Sequence, residues 1–349
     1  MKECGFGIIG CGMIANFHAR AISEIKGARL VAACSRNETS AQRLANEYSA
    51  EWHTDYREIL KRDDVDIVNI CTPSGAHLEL ACKAALAGKH VIVEKPIEIT
   101  LERIDSIIDA CSRHKVKLGV VFPSRFGEAS RLVKEAIGKG RLGRLTLADA
   151  YVKWFRSQSY YDTGGWKGTW KLDGGGALMN QSIHAIDLLQ WFAGPVKSVC
   201  AMTDRLAHKN IEVEDTAVAV LRFRNGALGC IEGATSVYPG FLKRIEISGE
   251  RGSIIMEEED ILSWQFAEEE EEDIKIRETF KARRSGGGGA SDPGAISHTG
   301  HKRQFEDFIE SIEQGREPLV GGMEGRKSVE IILAIYKSSK EGRCVNLPI

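Results

Sequence analysis

The chain has 349 residues, 43% hydrophobic and 28% charged, with a formal net charge of −2. A balance this near zero supplies no basic field for nucleic acid or an anionic membrane, and no stretch approaches the roughly 18 apolar residues of a spanning helix. The length suits two domains, and the nine cysteines form no CxxC pair, so neither a metal site nor a redox dithiol is expected. The opening MKECGFGIIGCGM lacks the layout of a signal peptide, and the expected compartment is the reducing cytoplasm.

The first 122 residues alternate apolar runs with helical patterns. Phe6–Ile9 is followed by a glycine turn and a helix with Ile14, Phe17, Ala21 and Ile25 on one face. Leu30–Cys34 precedes a polar helix near 39–49. Asp66–Cys71 and His90–Val93 flank an Ala-rich helix, Leu78–Ala87, and a helix over 101–114 leads to Leu118–Phe122. Continuous apolar strands separated by helices predict a doubly wound parallel sheet of Rossmann type over 1–122.

From about 145 the pattern changes to alternating runs at 145–155, 196–206, 214–224, 227–237 and 242–248, with Asn225-Gly226 as a hairpin turn between two of them. Residues 123–349 therefore read as an α/β domain with an open, mainly antiparallel sheet. One helix spans about 176–193, and two more, about 299–314 and 324–341, close the chain. The acidic run Glu268–Asp273 reads as a solvated hairpin tip, and Gly286–Gly289 as a flexible loop.

Gly10-Cys11-Gly12-Met13-Ile14-Ala15 fits G-x-G-x-x-A, between a predicted strand and a predicted helix. The first glycine permits a tight turn, the second admits a pyrophosphate, and the helix N-terminus favours its charge. At the end of the second strand an NAD enzyme usually carries Asp or Glu. Here stand Ser35-Arg36-Asn37, donors suited to a 2′-phosphate, so the expected cofactor is NADP in preference to NAD.

Strand VIV ends in Glu94-Lys95-Pro96, at the carboxyl edge where open α/β sheets bind ligands. The Lys95 ammonium suits a substrate hydroxyl or its developing alkoxide, Glu94 can hold the lysine or the cofactor's carboxamide side, and Pro96 ends the strand. In GGGALMNQSIHAIDLLQWF, Asn180, His184 and Asp187 fall at i, i+4 and i+7 on one helical stripe. His184 can take the hydroxyl proton as hydride leaves the same carbon, with Asn180 and Gln181 beside it. Tyr160, Tyr161, Trp166 and Trp170 just upstream suit stacking, Trp170 on the nicotinamide side and Tyr161 on a sugar, while Lys167 and Arg125 suit a substrate carboxylate or phosphate.

The glycine turn, Thr72-Pro73 with His77, Glu94-Lys95-Pro96 and the Gly-Gly-Gly…Asn180-x-x-x-His184 helix together resemble the Gfo/Idh/MocA oxidoreductase family, over essentially the whole chain. The resemblance implies that Lys95 and His184 are the catalytic pair and that Thr72, Pro73 and His77 lie along the cofactor. It also implies a carbohydrate or cyclitol substrate, and homodimers or homotetramers built through the open sheet. Residues 160–195 are especially similar to UDP-N-acetyl-2-amino-2-deoxyglucuronate dehydrogenases, which oxidise a sugar at C3. Two features depart from common family patterns. Asn180 stands where inositol dehydrogenases have Asp, and Ser35-Arg36 stands where the aminouronate enzymes typically keep an acid. The expected activity is NAD(P)-dependent oxidation of a ring hydroxyl on a sugar, sugar nucleotide or cyclitol. The alternatives are a non-catalytic dinucleotide-binding regulator and a redox-neutral NAD-dependent glycoside hydrolase of the same fold.

Overall fold

The computed structural model describes residues 3–163, 165–283 and 298–349, with the side chain of Arg283 left out. Gly286–Gly289 lies outside them. The chain divides into two compact units, Met1–Pro123 with Ser297–Arg326, and Ser124–Ile296 with Lys327–Ile349. The division departs from the boundary drawn on the sequence in one respect, because a C-terminal segment returns to the first unit.

The elements in chain order are β1 (Cys4–Ile9), α1 (Met13–Ser23), β2 (Ala28–Cys34), α2 (Glu38–Glu47), β3 (Glu51–His53), α3 (Tyr56–Leu60), β4 (Ile67–Ile70), α4 (His77–Leu86), β5 (His90–Val93), α5 (Leu101–Arg113) and β6 (Leu118–Val120). There follow α6 (Glu128–Gly138), β7 (Leu145–Lys153), α7 (Gln158–Asp162), a π-helical turn (Ala177–Ser182) and α8 (Ile183–Ala193). Then come β8 (Val196–Asp204), β9 (Thr216–Phe223), β10 (Leu228–Ala234), β11 (Arg244–Gly249), β12 (Gly252–Glu257), β13 (Asp260–Phe266), α9 (Glu271–Arg283), α10 (Thr299–Gln314), α11 (Gly322–Glu341) and β14 (Val345–Asn346). Among the described residues no helix is long and apolar enough to cross a membrane.

The first unit holds a parallel sheet in the order β3-β2-β1-β4-β5-β6. The strand order reverses between β1 and β4, the place where such sheets take their ligands. The returning helix α10 buries Phe305 and Phe308 in this unit's core, with the Phe305 ring 6.2 Å from that of Phe6. The Gln304 side chain donates to Val120 O at 2.6 Å and accepts from Phe122 N at 3.0 Å, satisfying backbone groups that β6 leaves over.

The second unit holds an eight-stranded sheet in the order β13-β12-β11-β7-β10-β9-β8-β14. Only β7 and β10 pair in parallel; the other neighbours are antiparallel. In β9, Ala217, Ala219, Leu221 and Phe223 face inward while Val218 and Val220 face out, the alternation of a half-covered sheet. The acidic run is not a hairpin tip. It leads into α9, whose first turn carries Glu271, Glu272 and Asp273, where negative charge suits the helix dipole. Asp273 is buried, accepting from the Trp264 indole at 2.6 Å and pairing with Arg141 at 2.7 Å. Cys344 is joined by a disulfide to Cys200, 144 residues away, a pairing that no local spacing could signal.

Candidate active site

The candidate residues form two sets, one in each unit. In the first unit, Gly10 has φ +99°, and a Cβ there would lie 2.6 Å from Cys71 O, so only glycine fits. Gly12 is different. It has φ −80°, and nothing of the protein lies within 4 Å of the place a Cβ would take. The space it keeps clear lies at the start of α1, whose first turn has no acidic residue and no side-chain cap. The uncapped N–H groups and the open approach fit a dinucleotide pyrophosphate. Met13 beside them is exposed, and Ile14 packs against the core.

Ser35 Oγ accepts from Asn37 N at 3.2 Å, and the Asn37 side chain caps α2 by accepting from Ser40 N at 3.0 Å. The hydroxyl proton of Ser35 can still be donated, and Arg36 is exposed. The buried Oγ1 of Thr72 has no partner in the protein, as a group reserved for a ligand would be. His77 was expected along the cofactor. It is fully buried, its ring nitrogens facing Thr72 O at 2.9 Å and Pro96 O at 3.1 Å; burial lowers its pKa, and the neutral ring donates to one of the two carbonyls.

Glu94 is held on both oxygens. Oε1 lies 2.8 Å from His18 Nε2, and Oε2 accepts from Lys95 N at 3.0 Å. Burial pushes its pKa up, but the hydrogen bond from His18, with Lys95 nearby, outweighs this and holds it at about 2. Asn69 Nδ2 lies 3.1 Å from His18 Nδ1; an amide NH2 only donates, so Nδ1 accepts and Nε2–H points at Glu94. His301 completes a buried group with His18 and Glu94, all ligating atoms within 4.8 Å of one another; burial pushes its pKa down to about 3. Neither His18 nor His301 was singled out from the sequence, because α1 and α10 lie far from Glu94 along the chain.

In the second unit the glycines before α8 answer to tight packing. A Cβ on Gly176 would lie 1.8 Å from Glu214 O, and one on Gly175 would lie 2.2 Å from the Tyr336 hydroxyl. Glu214 caps the helix start: Oε2 accepts from Gly176 N at 2.9 Å, Oε1 from Leu178 N at 2.8 Å, and its carbonyl from Ala177 N at 3.1 Å. Burial pushes its pKa up to about 7 against these donors. Asn180 and Gln181 sit in the π turn, and His184 follows in the first turn of α8. Asp187 does not join them. It is buried and takes Arg125 in two bonds, Nε at 2.7 Å and Nη2 at 2.6 Å. Arg125 thus meets a carboxylate of its own chain, where one on a substrate was expected.

Tyr161 is likewise turned inward, its hydroxyl 2.8 Å from Thr235 Oγ1 and its ring edge-on to His208. Its neighbour Tyr160 carries the polar tip, accepting from Gln181 Nε2 at 3.0 Å. Gln181 Nε2 also donates to Asn180 Oδ1 at 3.1 Å, and Asn180 Nδ2 to Asp173 Oδ1 at 2.6 Å. Lys167 Nζ lies 3.7 Å from the Tyr160 ring centroid; burial lowers its pKa and Asp173 opposes the shift. Trp170 is exposed and meets Tyr336 edge-on at 5.3 Å.

The first unit thus holds a glycine turn open to a dinucleotide and a lysine closing a parallel strand, and the second a histidine in a helix preceded by a glycine run. The family described as "Oxidoreductase family, NAD-binding Rossmann fold" matches residues 4–122, and "GFO/IDH/MocA C-terminal domain" matches 130–255. The WlbA dehydrogenase from Bordetella pertussis, whose crystal structure holds NADH and UDP-GlcNAcA, is 36% identical at a TM-score of 0.91, covering 100% of this chain and 99% of its own. The chain belongs to the Gfo/Idh/MocA family. The WlbA enzyme of Chromobacterium violaceum, also with NADH and UDP-GlcNAcA, is 34% identical at a TM-score of 0.89 over 100% of this chain and 97% of its own. The myo-inositol 2-dehydrogenase of Thermotoga maritima is 27% identical over 98% of each chain.

As a Gfo/Idh/MocA protein, the chain is an NAD(P)-dependent oxidoreductase with the two-domain fold expected of it. Dehydrogenases among its relatives disfavour both the regulator and the hydrolase. The π turn has a local reason. Gly233 lies under it, where a Cβ would come within 2.7 Å of both Leu178 and Ser182, so the turn packs directly on β10.

Proposed function

We propose that this oxidoreductase transfers hydride between a ring carbinol carbon and a nicotinamide, and that its substrate is a UDP-linked N-acetylated aminouronate oxidised at C3. The observation that carries the reading is the polar run Asp173–Asn180–Gln181–Tyr160 with the Lys167 ammonium over the tyrosine ring. The run offers amide partners for sugar hydroxyls, and the ammonium suits a uronate carboxylate. Likeness to the two WlbA enzymes over the full chain supports the same substrate class. Asn180 in place of Asp speaks against an inositol substrate.

In this reading a dinucleotide held at Gly10, Gly12 and the start of α1 would supply the hydride acceptor, while His184 takes the hydroxyl proton and the carbinol becomes a ketone. Lys95 stabilises the oxygen as charge develops, and Asn180 orients the ring. Ser35 and Arg36 favour NADP over NAD. The protein works in the cytoplasm, whose reducing conditions suit its free cysteines. The open sheet face pairs subunits into a homodimer or homotetramer.

The test is single-turnover absorbance at the reduced-nicotinamide band. Wild type and Lys95→Ala, each loaded with NADP or NAD, are challenged with the UDP-aminouronate, free uronates and inositols. The expected result is a rise with the UDP-sugar in wild type, slowed roughly 10²–10⁴-fold in the variant. A rise with inositols alone would overturn the substrate, and an unimpaired variant would overturn the role of Lys95.

A further inference from the structure

Asn180 carries a neutral amide, and a carboxylate lies one hydrogen bond behind it. Asp173 is buried and accepts at both oxygens, Oδ1 from Asn180 Nδ2 at 2.6 Å and Oδ2 from Gly168 N at 2.8 Å. A carboxylate so bonded only accepts, so the amide of Asn180 must turn its NH2 toward Asp173 and its oxygen away. The far end is fixed by the opposite chemistry. Arg156, buried and stacked over Trp154 and Tyr160, donates from Nη2 to Gln181 Oε1 at 3.0 Å. A guanidinium only donates, so Gln181 must turn its NH2 toward Tyr160 and Asn180. The bond from Gln181 Nε2 to Asn180 Oδ1 agrees with both constraints.

We propose that Asp173 and Arg156 are positioning residues that lock the two amides into one orientation, so that Asn180 offers its carbonyl oxygen to a substrate hydroxyl. Every bond from guanidinium to carboxylate then runs in the same direction. An amide whose two ends could exchange would present donor and acceptor at random; here a charge at each end removes the choice. The inference rests on the proposed reading of Asn180 as a substrate contact. It adds the residues that decide which end of the amide is presented. It also accounts for Asn at position 180, since a carboxylate there would sit 2.6 Å from Asp173 and the two could not both ionise.

Three variants of the full-length protein test this. Asp173→Asn reverses the constraint, because Gly168 N holds the oxygen of the new amide and its NH2 then faces Asn180. Its kcat is expected to fall on the order of 10²-fold, with the Kd for reduced cofactor and the Tm little changed. Asn180→Asp places two carboxylates together, and its pH–rate profile should gain an ionisation that wild type lacks. The groups acting on that pair include Lys167, Tyr160, Tyr161 and Tyr336, which feel Asp173, and Arg156, which acts on Lys167 and Tyr160. The exchange Asp173→Asn with Asn180→Asp restores a carboxylate–amide bond that Gly168 N and Gln181 still satisfy. It should recover kcat to within about tenfold and lose the added ionisation.

Wild-type kcat in Asp173→Asn would overturn the proposal. So would an exchange with wild-type Tm whose kcat stays as low as in Asp173→Asn, because the restored bond would then not serve turnover. A readout independent of turnover is the side-chain amide signal of Asn180 in asparagine-labelled protein. It should lie downfield in wild type and move back in Asp173→Asn, and an unmoved signal would overturn the lock. If wild type oxidises none of the sugars, the proposed function fails while this signal still decides the inference.

Discussion

Gly176 lies directly against Glu214: a Cβ on the glycine would be 1.8 Å from the glutamate's backbone oxygen. Backbone cannot step aside as the end of a flexible side chain can, so Gly176→Ala must displace the turn that carries Asn180 and Gln181. A loss of roughly 1–3 kcal/mol is expected in urea unfolding, with loss of turnover. Gly12→Ala is the contrasting case. Its added methyl meets nothing of the protein, and φ −80° is open to any residue. Stability should be unchanged while the Kd for reduced cofactor, followed by fluorescence, rises. A fall in Tm of the same size in both variants would refute the distinction.

Glu214 also gives a stability profile with a definite sign. Its pKa is pushed by burial from the ordinary 4.5 to about 7. Between those values the folded chain holds a proton that the unfolded chain has released. The group's contribution is therefore fully present below about pH 4.5, falls by roughly 1.4 kcal/mol per unit as pH rises, and levels off above about 7. Urea unfolding of wild type minus Glu214→Gln across this range should show that slope. A difference that is flat or rises with pH would contradict it.

Ser35 and Arg36 make the cofactor choice testable. Both offer donors to a 2′-phosphate, with Arg36 exposed at the end of β2. The Kd for NADPH should lie below that for NADH, and Arg36→Asp should reverse the order. Equal or tighter NADH binding by wild type would refute the preference for NADP.

The outer face of the second sheet carries Leu147, Leu228, Val218, Val220 and Met202 exposed. The strand register sets Leu228 beside Leu147, and Val218 beside Met202. The proposed subunit pairing would use these apolar side chains. Val220→Glu should lower the mass measured by sedimentation to that of one chain. Wild type already sedimenting as one chain would remove the proposed role of this face.

The sequence by itself determined the two kinds of sheet, the glycine turn, and the candidate roles of Lys95 and His184. Those signals are local: the period of an apolar run, a G-x-G-x-x-A between strand and helix, a strand stopped by Lys95-Pro96. Only the tertiary structure decided the partners. His18 beneath Glu94, Glu214 at the head of the π turn and Asp173 behind Asn180 are buried polar groups that need a hydrogen-bonding complement. For His18 and Glu214 that complement comes from another stretch of chain, so no spacing announces it. Asp173 lies only seven residues from Asn180, yet nothing before folding indicates that the two side chains meet. The same cause turned Arg125 onto Asp187 and Tyr161 onto Thr235. A sequence displays which side chains are able to bind a substrate, while burial decides which of them have already been satisfied from within.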